Sequence, residues 1–168
     1  MGSHDHKEAA GRIESCRCAV LTVSDSRTEV TDESGKRIQE LLGSEDHRVV
    51  AYQLLPNDLS LISAALERLL DEEAQVVIIT GGTGLSRKDV TIQVVPPLLE
   101  KTLDGFGELF RALSYQEIGS AAIMSRALAG LARGKLIVAL PGSLGAVDLA
   151  LRKLLLPELR HLVWEINR

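Results

Sequence analysis

Apolar residues recur along the chain in two alternating rhythms. Residues 16–24, 48–55 and 75–80 are short runs of β-branched and aliphatic side chains that stop at polar or turn residues, as strands do. Val-Val-Ile-Ile within 75–80 is apolar without alternation, which marks a strand buried on both faces. Between these runs the spacing becomes helical. Ile38, Leu41 and Leu42 share one face of a helix over 34–42. Leu59, Ile62, Leu66, Leu69 and Leu70 mark a second helix, and Phe106, Leu109, Phe110 and Leu113 another. A helix is expected to start at or after Asp89, with Pro96-Pro97 kinking or restarting it. Residues 121–128 read as helix and 135–140 as the last clear strand. The chain then closes in helices, with Leu151, Leu154 and Leu155 before Pro157 and Leu159, Leu162, Val163 and Ile166 after it.

Strands alternating with helices predict a three-layer α/β/α single domain around a mostly parallel central sheet. Ligands bind such sheets beyond the carboxyl ends of the strands. The polar segments that follow strands should therefore share one rim. They are Ser24-Asp25-Ser26, Pro56-Asn57-Asp58, the segment from Gly81 to Asp89, and Pro141-Gly142-Ser143.

Length and composition narrow the options. A chain of 168 residues suffices for one domain with a real core, over residues 15–168. Residues 1–14 are polar and are expected to form a disordered tail, in which Gly2-Ser3-His4 resembles a cloning remnant. They lack the apolar stretch of a signal peptide, and no apolar run approaches a membrane span. A net charge of −4 argues against a broad nucleic-acid footprint, and five aromatic residues argue against a base-stacking platform. Cys16 and Cys18 sit two apart in a strand and point to one face, so they read as small core residues rather than a disulfide or zinc site. These features suit a reducing cytoplasm.

The rim carries the candidate chemistry. Gly81-Gly82-Thr83-Gly84 permits positive φ and close approach of backbone to a ligand, and successive N–H groups in such a turn attract anions. Thr83 adds a hydroxyl, and Arg87 and Lys88 add charge. The spacing matches neither the Walker pattern nor the dinucleotide fingerprint, and a tight turn without a ligand explains it equally well. Asp89 and Asp58 each precede a helix, where a carboxylate either caps the first turn or holds Mg²⁺ beside phosphates. Two carboxylates beside an anion turn suit metal-assisted phosphoryl or nucleotidyl transfer. Pro141-Gly142-Ser143 offers free N–H groups for a second phosphate or a cap at Ser143. Ser125-Arg126 offers a guanidinium for a phosphate or a side chain for solvent. Asp32, with Ser34 and Gly35, is first a helix-start signal. His47 and His161 have no partner at metal spacing, and no nucleophilic triad is readable.

Taken together these pieces resemble a known family. Thr22-Val-Ser-Asp25, Thr31-Asp-Glu-Ser-Gly35, Gly81-Gly-Thr-Gly84, Arg87-Lys-Asp-Val-Thr91, Gly105-Phe-Gly-Glu-Leu-Phe110, Ser125-Arg126 and Leu140-Pro-Gly-Ser143 occur in the order seen in MoaB/MogA proteins of molybdenum cofactor biosynthesis. The stretch 105–115 followed by Ile118-Gly119 is closer to MoaB than to MogA. The resemblance implies a homo-oligomer (trimer or hexamer) that binds molybdopterin. In part of the family it implies adenylylation with Mg²⁺ and ATP, giving adenylyl-molybdopterin for a downstream molybdate-inserting enzyme. Asp89 matches the family's catalytic aspartate. Its second aspartate falls at Asn57, with Asp58 alongside, so Asp89 and Asp58 are the expected metal carboxylates. Ser24, Asp25, Gly81, Gly82, Thr83, Gly84, Ser125, Arg126, Pro141, Gly142 and Ser143 are the expected substrate contacts. Asn57 brings no negative charge, which favours a second reading, a non-catalytic molybdopterin carrier. A third reading is a nucleotide pyrophosphatase on the same fold, as in competence-damage-type proteins, against which Arg87-Lys88-Asp89 argues.

Overall fold

The computed structural model describes Gly11 and residues 13–168; the tail expected over 1–14 lies mostly outside the described residues. Strand β1 (Arg17–Val23) leads to α1 (Glu33–Ser44), β2 (Arg48–Leu55), α2 (Leu59–Asp71) and β3 (Val76–Thr80). Then come α3 (Thr91–Leu98), β4 (Lys101–Thr102), α4 (Asp104–Ile118), a 3-10 turn (Gly119–Met124), β5 (Leu128–Ala132) and β6 (Lys135–Leu140). Helix α5 (Leu144–Ala150), a π turn (Leu151–Leu155) and α6 (Leu156–Asn167) end the described chain. The sheet has six strands in the order β2-β1-β3-β6-β5-β4. Strands β2, β1, β3 and β6 run parallel, and β5 and β4 join by antiparallel pairing.

Both faces of β1, β3 and β6 are covered, which is why their sequences are apolar almost throughout rather than alternating, whereas the edge strand β2 is only half-buried and keeps Arg48, Tyr52 and Gln53. Cys18, Val20, Val76, Ile78 and Val138 pack toward α1, α4, α5 and α6. Ala19, Leu21, Val77, Ile79 and Ile137 pack toward α2 and α3. Cys16 and Cys18 are free thiols in the first of these cores, and burial raises both pKa values. His47, which the sequence left without a role, is buried and accepts the Cys16 backbone N–H at Nδ1, 3.1 Å. His161 lies 2.9 Å from Glu158 on its own helix.

Three local expectations change. Residues 121–128 are not a helix. Gly119, at φ +66°, ends α4, a 3-10 turn follows, and β5 begins at Leu128. Asp89 does not cap α3, whose N-cap position is Val90 without a side-chain cap bond. Finally, Pro96 and Pro97 lie inside the last turn of α3 instead of restarting it. Two prolines there remove amide donors only where the helix is about to stop, and Leu99 N–H closes the turn onto Pro96 O at 3.1 Å. Pro157 is met differently. The helix widens into a π turn just before it, with Leu156 N–H reaching back to Leu151 O.

Strand β1 connects to β2 on one side, and the chain then returns past β1 to β3 on the other. Helices α1 and α2 therefore cover opposite faces, and the ends of β1 and β3 diverge. This is the switch point at which α/β sheets leave a crevice.

Candidate functional site

A cleft of about 690 Å³ opens at that point. The turn after β3 builds its floor. Gly81 and Gly82 both have positive φ, +94° and +66°. A Cβ on Gly81 would lie 2.1 Å from Val23 O, and one on Gly82 would lie 2.3 Å from Thr91 Oγ1 and 2.7 Å from Asn57 Oδ1. Only glycine fits there. The turn's carbonyls are each taken up from behind. Thr91 Oγ1 donates to Gly81 O at 2.9 Å and Thr91 N–H to Gly82 O at 3.0 Å. Arg126 Nε donates to Thr83 O at 2.9 Å, and its Nη2 donates to Gly84 O. With the carbonyls turned away, the N–H groups of Gly82, Thr83 and Gly84 find no acceptor among the described residues. Successive free amides on a concave backbone attract anions.

A second amide-bearing turn faces the first. Pro141-Gly142-Ser143 follows β6, and a Cβ on Gly142 would come within 3.3 Å of Gly81 Cα. Thr80 Oγ1 donates to Pro141 O at 3.1 Å, and Ser34 Oγ donates to Gly142 O at 2.6 Å. Ser143 is an N-cap as well as a cleft residue, since its Oγ accepts Ala146 N–H at 3.3 Å. Ser34 is held by its own helix start. Asp32, 1 % exposed, accepts Gly35 N–H at 2.9 Å and the Tyr52 hydroxyl at 2.6 Å. Burial first, then the Asp32 carboxylate, push the Tyr52 phenol well above its usual range.

Two carboxylates join the amides. Asp89 Oδ2 accepts Ser86 N–H at 3.0 Å, which folds the loop between the glycine turn and α3. Asp25 accepts Asn57 N–H at 2.8 Å and Asn57 Nδ2 at 3.4 Å, bridging the ends of β1 and β2. Asn57 Oδ1 is buried over Gly82 without a hydrogen-bond partner.

Most of the residues expected at the rim come together at the cleft. Ser24, Asp25, Asn57, Gly81, Gly82, Thr83, Gly84, Asp89, Ser125, Pro141, Gly142 and Ser143 all line the cleft. Ser24 Oγ is occupied by the N–H groups of Ser26 and Arg27, at 3.3 and 3.1 Å. Asp58 and Arg126 do not line the cleft. Asp58 caps α2, accepting Leu61 N–H at 2.9 Å, and Arg126 braces the glycine turn from outside. Lys88 lines the cleft and Arg87 does not. Among the described residues no group of three or more His, Cys, Asp or Glu could hold a metal by itself. The opposite wall was missed by the sequence reading. Phe110, Ser114, Glu117 and Ile118 of α4, Met124, Ala146 and Leu149 complete the cleft. The signal was Ser114, a polar residue four positions after Phe110 on a helix face otherwise turned to the core.

Fold and cleft define a class: an α/β protein with a crevice at the carboxyl rim of a mostly parallel sheet, floored by a glycine turn whose amides are free among the described residues. Comparison with known proteins makes this specific. The model of the probable molybdopterin binding domain matches residues 19–161. The chain is 46% identical over 170 residues to molybdenum cofactor biosynthesis protein B of Bacillus subtilis, covering 100% of this chain and 99% of that one. A crystal structure of a molybdenum cofactor biosynthesis protein B superposes with a TM-score of 0.89 at 46% identity, over 92% of this chain and 97% of the other. The tungsten cofactor synthesizing protein MoaB from Pyrococcus furiosus gives 0.84 at 37% identity, over 92% and 99%. The chain belongs to the MoaB/MogA family of molybdenum cofactor biosynthesis proteins. Among the described residues no helix is long and apolar enough to cross a membrane.

Proposed function

We propose that this protein binds molybdopterin in the cleft and adenylylates it with Mg-ATP, forming adenylyl-molybdopterin and pyrophosphate. The observation that carries the reading is the glycine turn, whose carbonyls are tied up by Thr91 and Arg126 and whose amides are left free beside a cleft bordered by Asp89. A terminal phosphate oxygen of the pterin attacks the α-phosphorus of ATP. The new P–O bond forms as the bond to the bridging oxygen breaks, and pyrophosphate leaves with that electron pair. The amides of Gly82, Thr83 and Gly84 stabilise charge on the phosphates in flight. Those of Gly142 and Ser143 take the second phosphate group. No side-chain nucleophile is needed.

The residues fit a magnesium ion carried in with the phosphates. The charged side chains lining the cleft are Asp25, Asp89, Glu117 and Lys88, so a naked polyphosphate would meet more acid than base. Oxygen donors from one or two carboxylates plus substrate phosphates suit Mg²⁺. Asp89 is one such carboxylate, and Asp25 stands in the cleft where Asp58 does not. Bound there, the ion would supply charge neutralisation on the triphosphate. The product would pass to a downstream enzyme that inserts molybdate. The exposed apolar side chains of Leu109, Tyr115 and Ile123 are available for contacts in a homo-oligomer, trimer or hexamer.

Asn57 favours a second reading, a carrier that binds molybdopterin without adenylylating it. Pyrophosphate release from Mg-ATP with purified molybdopterin separates the two. Turnover that falls about 100-fold or more in Asp89→Ala is expected of the enzyme. Absence of wild-type turnover with molybdopterin binding intact, and its appearance in Asn57→Asp, would establish the carrier.

A further inference from the structure

The reaction above uses the amide floor and the two aspartates but leaves the α4 wall without a task. Phe110, Ser114, Glu117 and Ile118 form one helical stripe that lines the cleft. Ser114 is 3 % exposed, and its hydroxyl makes no hydrogen bond among the described residues. The residue is buried, but it lines the cleft, and its hydroxyl is left free for a ligand there. Glu117, one turn further on, is exposed in the same cleft and likewise without a partner. At i and i+3 the two side chains stand about 5–6 Å apart at Cβ. Apolar surface flanks them, with Phe110 fully buried beneath and Ile118 and Met124 60 % and 52 % exposed. This is an apolar slot with two convergent polar groups, the usual form of a site for a flat heterocycle.

The polar pair constrains which heterocycle. An ionised carboxylate only accepts hydrogen bonds and takes two adjacent N–H donors in parallel. A 2-amino-4-oxopyrimidine edge offers such a pair, the exocyclic amine beside the ring N–H, with a carbonyl next in line for a hydroxyl donor. Adenine presents a donor beside an acceptor on either edge and would set a ring lone pair against the carboxylate. We propose that Glu117 and Ser114 read the aminopyrimidinone edge of the bound ring, Glu117 accepting its two N–H groups and Ser114 donating to its carbonyl. Glu117 is thereby the residue that excludes adenine from this half of the cleft. The inference rests on the molybdopterin-binding reading and adds how the ring is recognised. Pterin and guanine share the edge.

The test is fluorescence titration with hydroxymethylpterin pyrophosphate, with GMP and AMP as competitors and inorganic pyrophosphate measured by calorimetry. Wild type is expected to bind the pterin and to prefer GMP over AMP as competitor. GMP competing better than the pterin binds would assign the slot to guanine. Glu117→Gln is expected to weaken the pterin about 10- to 100-fold, to narrow the GMP preference, and to leave pyrophosphate binding no weaker, since it takes one negative charge out of the cleft. Pyrophosphate binding at or above the wild-type level certifies an intact cleft, and Ser114→Ala should give a smaller loss of the same selectivity. Pterin binding equal in wild type and Glu117→Gln would overturn the assignment while leaving molybdopterin binding standing. Absence of any pterin binding by wild type would sink both.

Discussion

Gly82→Ala places one methyl group where the structure has no room for it. The backbone there is at φ +66°, where an L-residue costs about 1–2 kcal/mol. The new Cβ would meet Thr91 Oγ1 at 2.3 Å, Asn57 Oδ1 at 2.7 Å and Val23 Cγ1 at 3.0 Å. Thr91 cannot move freely, because its hydroxyl holds Gly81 O and its N–H holds Gly82 O. Overpacking of this kind costs about 1–3 kcal/mol. The combined loss is then about 2–5 kcal/mol. At 2–4 °C per kcal/mol for a domain of this size, the melting midpoint should fall by about 4–20 °C. Calorimetry or urea unfolding of the purified variant measures it. Gly43→Ala is the matched control. Gly43 lies in α1 with nothing within 4 Å of its built Cβ, so alanine should stabilise by about 0.5–1 kcal/mol. A Gly82→Ala protein that melts with wild type, or a Gly43→Ala protein that loses as much, would refute the account of the turn.

Two further outcomes follow from the polar contacts. Asp58→Ala removes the α2 cap and should cost about 1 kcal/mol of stability while leaving pyrophosphate affinity untouched; a matching loss of affinity would return Asp58 to the site. Burial, then the Arg160 charge, hold His47 below the ordinary histidine value, opposed by Glu45 and Asp46. The folded state therefore prefers neutral His47, and its contribution is complete above about pH 6.5 and is lost as pH falls through the folded value. His47→Gln should flatten that acid limb in urea titrations and cost about 1–2 kcal/mol at neutral pH if Cys16 N–H loses its acceptor. Parallel acid limbs in both proteins would exclude His47 as the cause.

Strands β1, β3 and β6 were legible because burial on both faces writes an almost uninterrupted apolar run, and their ends were legible because polar turn residues stop each run. Those two facts located the rim. Strand β5 was hidden by its composition. Ala129, Gly130 and Ala132 carry little β propensity, and an alanine-rich stretch reads as helix. Gly130 must be small, since a Cβ there would lie 2.6 Å from both Leu99 Cδ1 and Lys101 O. The β5–β6 turn also lacks the usual Asn-Gly signal, because Arg133 takes φ +50° ahead of Gly134 at +72°. Asp58 and Asp89 were indistinguishable as sequence, each standing just before a helix. The local fold separates them: Asp58 reaches forward to Leu61 N–H as the α2 cap, whereas Asp89 reaches back to Ser86 N–H in the loop that lines the cleft. The pairing of Asp25 with Asn57 spans two strand ends, and no local pattern encodes it.

The place of β6 bears on the order of assembly during synthesis. It is the last of the six described strands to be made, yet it lies inside the sheet, between β3 and β5. Until residues 135–140 emerge, β3 has an open edge, and Gly81 N–H lacks Leu140 O, its acceptor at 2.9 Å. The Thr80 hydroxyl likewise waits for Pro141. A nascent chain released at about 5–20 residues per second therefore spends several seconds with the glycine turn unsupported. The glycine turn is thus completed only when β6 joins the sheet, which leaves the β3 edge as the segment most in need of chaperone cover during synthesis.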